Sequence, residues 1–369
     1  MKKPLVLLWG IFFSILALSI LFPSDPNKPN ILDIMNKEEK KQVVHEDKDL
    51  GYRIEGLVRV DTSGKALAWS LDEKNIYYSK KVQGKSGLEE LWITDVKGQK
   101  QKIESSIEFY NIRDARISPN GRYLSFISGN LDDKNKLYIY DTTNNNIKDI
   151  TPLKAEDTGV TSYDWDEQSL NIIMTADIVN PGIVIYSVDS GHMRKLDMNL
   201  NACRNVGFLR GNKIIFSDQD EEGLKSKIYT ANSSGKNVKI LLDGRDFIVS
   251  PNKNKIAILS DENLQEGLWV YNLDRNKKIN ITLNPTYNVY WLPRNPELIF
   301  STEEDSLNRK PFRKDLYVSD DSGKIDNVSD AIYTIFVPSK TGKKIAITSP
   351  DYAETTEDKV GVFWGELSK

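Results

Sequence analysis

Apolar and polar residues alternate in short runs along most of this chain, and clusters of Asn, Asp, Ser, Gly and Pro break the runs. A period of two predicts β-strands throughout and gives no sign of an amphipathic helical core. The clearest copy is ARISPNGRYLSFIS, from Ala115, in which two short strands flank Ser118-Pro119-Asn120-Gly121. Proline presets φ at the second turn position, asparagine tolerates the third, and glycine takes the positive φ from which the next strand starts.

The same pattern recurs along the chain as ALAWSLDEKNIYYS from Ala66, SYDWDEQSLNIIMT from Ser162, NVGFLRGNKIIFS from Asn205, DFIVSPNKNKIAILS from Asp246, NVYWLPRNPELIFS from Asn288 and TIFVPSKTGKKIAITS from Thr334. With the Ala115 copy this makes seven units, spaced by about 41 to 48 residues, a propeller-blade period. Each unit has a second half, for example LYIYDTTNNN from Leu137 followed by IKDIT from Ile147. Four antiparallel strands per unit predict an all-β fold of four-stranded blades. Trp69, Trp165 and Trp291 recur at one register position in the first strand, which predicts packing between neighbouring blades.

An apolar strand, Ser-Pro-Asn-Gly, a second apolar strand, then Leu/Ile-Tyr-x-x-Asp with a glycine-bearing turn resembles the propeller repeat of TolB-like proteins. The resemblance covers roughly residues 50–369. It implies a β-propeller and protein partners in a cell envelope. TolB-like domains usually have six blades, whereas seven first-strand signals are present here, so seven is the favoured count and six the alternative. The last unit has three strands of its own, and the segment at 53–60 has no other partner. It is expected to supply the missing outer strand and close the ring, which removes exposed sheet edges.

Ahead of the repeats, Lys2 and Lys3 precede an uncharged apolar run at 5–22 that ends at Pro23. Eighteen helical residues would span about 27 Å, close to the hydrocarbon thickness of a bilayer. Residues 1–22 therefore read as a signal anchor, residues 23–50 as a solvated linker and residues 51–369 as the propeller. The positive-inside bias places the propeller outside the cytoplasmic membrane; cleavage after Ser19 would release it as a secreted protein.

Composition narrows the chemistry. The chain has 369 residues and a formal net charge of -3, without the basic excess expected of a nucleic-acid binder. Cys203 is the one cysteine, so an intrachain disulfide is excluded, and it reads as a buried thiol. Of the two histidines, His45 lies in the linker and His192 in a turn between third and fourth strands, so neither suits a catalytic triad. No Gly-x-Ser-x-Gly elbow or phosphate loop is present.

The loops between second and third strands are long and different in every unit, and recognition usually lives on variable loops carried by a rigid scaffold. Their acidic residues are the candidate binding positions: Asp132, Asp133, Asp218, Asp220, Glu222, Asp261, Glu303, Glu304, Asp351 and Glu354. The run from Asp218 begins like a calcium loop but has Tyr229 where a bidentate glutamate belongs, so calcium is weakly indicated and no cofactor is assigned. The expectation is a membrane-anchored, non-enzymatic propeller that binds a protein or an envelope polymer through this face. The alternative is an exported hydrolase or lyase that uses carboxylates around the axis.

Overall fold

The computed structural model describes residues 52–368 except 130–133, 153–158, 177–180, 221–224, 260–266, 285, 293–296, 303–314, 320–322, 330–334 and 350–360. The expected anchor and linker lie outside the described residues.

Seven antiparallel sheets form seven blades. We number them 1 to 7 in chain order and letter their strands a to d. Blade 2 shows the pattern, with a at Arg113–Ile117, b at Tyr123–Ser128, c at Lys136–Asp141 and d at Asn146–Asp149. Strand a begins at Lys65–Trp69 in blade 1, Tyr163–Trp165 in blade 3, Asn205–Leu209 in blade 4, Phe247–Val249 in blade 5, Thr286–Trp291 in blade 6 and Ile335–Pro338 in blade 7. Blade 1 carries one addition the repeat did not predict: Phe109–Tyr110 pairs with Leu88 and Glu89 of its strand c.

Blade 7 closes the ring as expected. Its strand d is Arg53–Asp61, paired antiparallel to Gly361–Ser368, so one blade is built from both ends of the propeller. The six-bladed alternative is excluded by the seven sheets.

The turn between strands a and b explains the serine of the repeat. Ser118 Oγ donates to Asn120 Oδ1 at 2.8 Å and accepts from the Tyr123 N–H at 3.0 Å. Ser250 does the same with Asn252 and Lys255, and Ser70 with Asp72 and Asn75. A serine hydroxyl thus replaces the solvent at a buried turn, where an unmade bond would be costly. The fourth turn position takes positive φ in five blades: Gly121 and Gly342 without strain, but also Glu73, Ser169 and Lys253.

The aspartate or asparagine that ends strand c has a parallel role. Asp95 Oδ1 accepts the N–H groups of Lys97 and Gln99, and Asn232 Oδ1 those of Ser234 and Lys236, which bends the chain into strand d.

Apolar side chains pack between blades. Each strand-a tryptophan also bonds backwards: Trp69 Nε1 donates to Val337 O, Trp165 Nε1 to Ser125 Oγ and Trp291 Nε1 to Ile248 O, at 3.0, 2.8 and 3.0 Å. These indoles are therefore seam residues, as their register position predicted, and not a ligand-stacking set.

Candidate axial binding site

In this topology the d to a links and b to c loops share one face, and the short a to b and c to d turns share the other. The a strands of all seven blades surround a cavity of about 940 Å³, lined by d to a link residues such as Asn111, Thr161 and Arg204 at the loop-bearing face and reaching the a to b turn of blade 5 at the other. That volume lies within the range of small-molecule and anchor-residue sites.

Three blades converge on one carboxylate in its depth. Asp164 of blade 3 pairs with Arg116 of blade 2 at 3.4 Å and with Lys253 of blade 5 at 2.8 Å. Its Oδ2 also accepts the Phe208 N–H of blade 4 at 3.0 Å. The bridge from blade 3 to blade 5 passes in front of Gly207 of blade 4. A Cβ at Gly207 would stand 3.0 Å from Val249 Cγ2 and 3.3 Å from Asp164 Oδ2, so the absent side chain makes the room.

Lys253 reaches Asp164 from the left-handed turn position, with φ 57, where blades 2 and 7 have glycine. A lysine held in that conformation costs about 1 kcal/mol or more, and such strain persists where the surrounding structure fixes it. Glu73 and Ser169, the other two non-glycine residues at this position, also bond to an earlier blade in the ring: Glu73 to the Thr341 N–H and hydroxyl, Ser169 Oγ to the Asn120 N–H.

Tyr163 and Arg116 form the wall beside Asp164. The Arg116 guanidinium lies 4.8 Å above the Tyr163 ring. The Tyr163 hydroxyl donates to the carbonyls of Asp114 and Ser125 and accepts from Ser125 Oγ. Burial pushes the Tyr163 phenol well above its usual range. Burial alone would lower Arg116, but Tyr163, Asp164, Asp114 and Tyr290 outweigh it and raise its pKa.

Two β-bulges bring backbone into the cavity. Register shifts between Arg113 and Arg116 and between Tyr287 and Tyr290 place Asp114 and Asn288 at φ 50 and 49, both on the lining. Tyr290 follows the second bulge, and burial raises its phenol to about 12. Its hydroxyl has no hydrogen-bond partner among the described residues. The lining as a whole sets Lys65, Arg113, Arg116, Arg204 and Lys253 against Asp114, Asp164 and Asp246, so hydrogen-bond donors predominate.

Among the ten acidic positions expected to mark the binding face, Asp218 and Asp220 are the two described. Asp218 is not a loop residue: it lies in strand b of blade 4, Lys213–Gln219, and is 6% exposed. Its carboxylate accepts the N–H groups of Asn201 and Ala202 and anchors the link into blade 4. Asp220 begins the following loop, with its N–H bonded to Lys225 O at 2.8 Å. Asp132, Asp133, Glu222, Asp261, Glu303, Glu304, Asp351 and Glu354 lie outside the described residues. Cys203 is fully buried, and burial pushes its thiol far above the reactive range, with Asp218 adding to the effect. His192 is exposed in the c to d turn of blade 3. Among the described residues no three His, Cys, Asp or Glu side chains gather closely enough to hold a metal ion.

No family model matches the chain, and no curated protein matches it in sequence. Solved structures do. TolB from Acinetobacter baumannii superposes with a TM-score of 0.51 at 17% identity, over 70% of this chain and 64% of that one. An oligogalacturonate lyase from Vibrio parahaemolyticus gives 0.64 at 11% identity, covering 87% of this chain and 97% of that one. A chain of the mitotic checkpoint complex gives 0.53 at 13%, covering 94% and 98%. The likeness shows the fold. The propeller of the TolB-like resemblance is thereby established, and this chain spans less than two thirds of the length of the TolB it resembles.

Proposed function

We propose that this chain is a non-catalytic recognition propeller that binds a protein or an envelope polymer on its loop-bearing face. The axial cavity opening there receives an acceptor-rich anchoring group of the partner. One observation supports this reading above others. Asp164, the carboxylate in the depth of the cavity, is held by Arg116, Lys253 and the Phe208 N–H, so its oxygens are taken up by structural contacts. A general base needs a free lone pair within reach of the substrate. Donors predominate in the rest of the lining, where Lys65, Arg113, Arg116, Arg204 and the Tyr290 phenol outnumber Asp114 and Asp246. The run of Lys2, Lys3 and the apolar residues 5–22 supports a tethered, extracytoplasmic location. TolB and the mitotic checkpoint complex are precedents only for what the fold can carry.

The test is capture of partners from native envelope by the full-length chain, with Arg116→Gln beside the unaltered protein. Recovery of a partner that Arg116→Gln loses supports the reading. Equal recovery by both proteins would remove the cavity from it.

A second reading, an exported lyase or hydrolase, draws on the same cavity and on the neighbouring lyase structures, one of which is described in complex with manganese. Oligogalacturonides incubated with the full chain, with and without calcium or manganese, test it. Formation of unsaturated product would establish it over the first reading.

A further inference from the structure

A second groove lies on the opposite, short-turn face, between blades 1 and 2. It measures about 590 Å³ and is lined by the a to b turns of both blades, the outer strand of blade 1 and the c to d turn of blade 2. Tyr77, in strand b of blade 1, forms part of its floor. The residue is 4% exposed, yet its hydroxyl has no hydrogen-bond partner among the described residues. Burial raises the phenol to about 12, so it remains a proton donor at any physiological pH. The ring is buried but the hydroxyl itself opens into the groove, where a ligand acceptor can take the place of water.

The charges around Tyr77 are already occupied. Asp72 accepts the Ser70 hydroxyl at 2.6 Å and the Lys74 N–H at 3.2 Å, and Lys102 pairs with Glu90 at 2.8 Å. Tyr140 donates to Asn145 Oδ1. The side-chain amides of Asn75 and Gln101 have no partners among the described residues. Leu71, Ile93 and Ile103 supply an aliphatic surface between them.

We propose that this groove binds a neutral saccharide. Neutral amides and a phenol match the hydroxyl edge of a sugar, and the aliphatic residues match its C–H face; an ionic ligand would find no unpaired countercharge. The site is separate from the axial cavity and does not depend on the reading given above.

Full-length protein titrated with cellotetraose, chitotetraose and maltotetraose, with trigalacturonate as the anionic comparison, tests this by calorimetry and ligand-observed NMR. At least one neutral probe should saturate a single site. Tyr77→Phe should weaken that binding about five-fold without lowering the melting midpoint, Asn75→Ala should weaken it too, and Arg116→Gln should leave it intact. Four results would overturn the proposal: no saturation by any neutral probe, binding of trigalacturonate alone, an affinity indifferent to Tyr77→Phe, or loss of binding in Arg116→Gln.

Discussion

Tyr78 donates its hydroxyl to Asp61 Oδ2 at 2.9 Å, joining the strand that completes blade 7 to the blade that begins the propeller. Asp61 is 2% exposed and also holds Lys80 and Lys100, each at 3.2 Å. Burial opposes its charge, but the Ser63 N–H, Tyr78 and Lys80 outweigh that and lower its pKa. Removing the carboxylate leaves a buried donor and two ammonium groups without their shared anion. Asp61→Ala should therefore cost about 2 to 4 kcal/mol of stability, and Tyr78→Phe about 1 kcal/mol, in urea unfolding of the full chain. Deleting 52–60 should lower the whole transition, because blade 7 then lacks its outer strand. An unchanged midpoint in Asp61→Ala or in the deletion would refute this account of closure.

That closure was legible in the sequence because a three-stranded last unit and an orphan strand at 53–60 can only complete each other. The blades were legible for the same reason: local alternation and turn residues repeat with the chain. The bridge from Asp164 to Lys253 was not, since it joins residues 89 apart across non-adjacent blades and belongs to no repeat. Its one available signal was Gly207, a glycine inside an inner strand, where a close approach is the usual cause. Asp218 misled for a related reason. An acidic run looks like a loop until the backbone N–H groups of Asn201 and Ala202 are seen to need its carboxylate.

Lys253 provides the next prediction. Lys253→Gly relieves a left-handed φ, worth about 1 kcal/mol, yet loses the bridge to Asp164. Because the bridge is largely buried, the loss should win, and Lys253→Gly should destabilise the protein. Ser169→Gly loses one hydrogen bond and should be close to neutral. A cycle of Lys253→Gly with Asp164→Asn should show a coupling of at least about 0.5 kcal/mol. Additive effects would mean that Lys253 contributes nothing through Asp164.

Acid sensitivity should report on Asp141. Burial raises its pKa, but bonds from Arg122 and from both the hydroxyl and N–H of Thr143 outweigh this and hold it at about 2. A carboxyl with a lowered folded pKa contributes stability that is complete above its ordinary value of 3.8 and disappears as pH falls through about 2. The midpoint difference between the unaltered protein and Asp141→Asn should hence be constant above about pH 5 and shrink between about pH 4 and 2. A difference that persists at pH 2 would assign the effect to packing.

Two phenols in the axial cavity separate structure from recognition. The Tyr163 hydroxyl contacts Asp114 O, Ser125 O and Ser125 Oγ, so Tyr163→Phe leaves buried groups unmatched and should cost about 1 to 3 kcal/mol. The Tyr290 hydroxyl has no such partner among the described residues, so Tyr290→Phe should change stability by less than about 0.5 kcal/mol. If the cavity receives a partner's acceptor group, Tyr290→Phe should nonetheless weaken capture of that partner, about five-fold for one lost hydrogen bond. Stable Tyr290→Phe protein that binds its partner with full affinity would place recognition outside the cavity, on the loops alone.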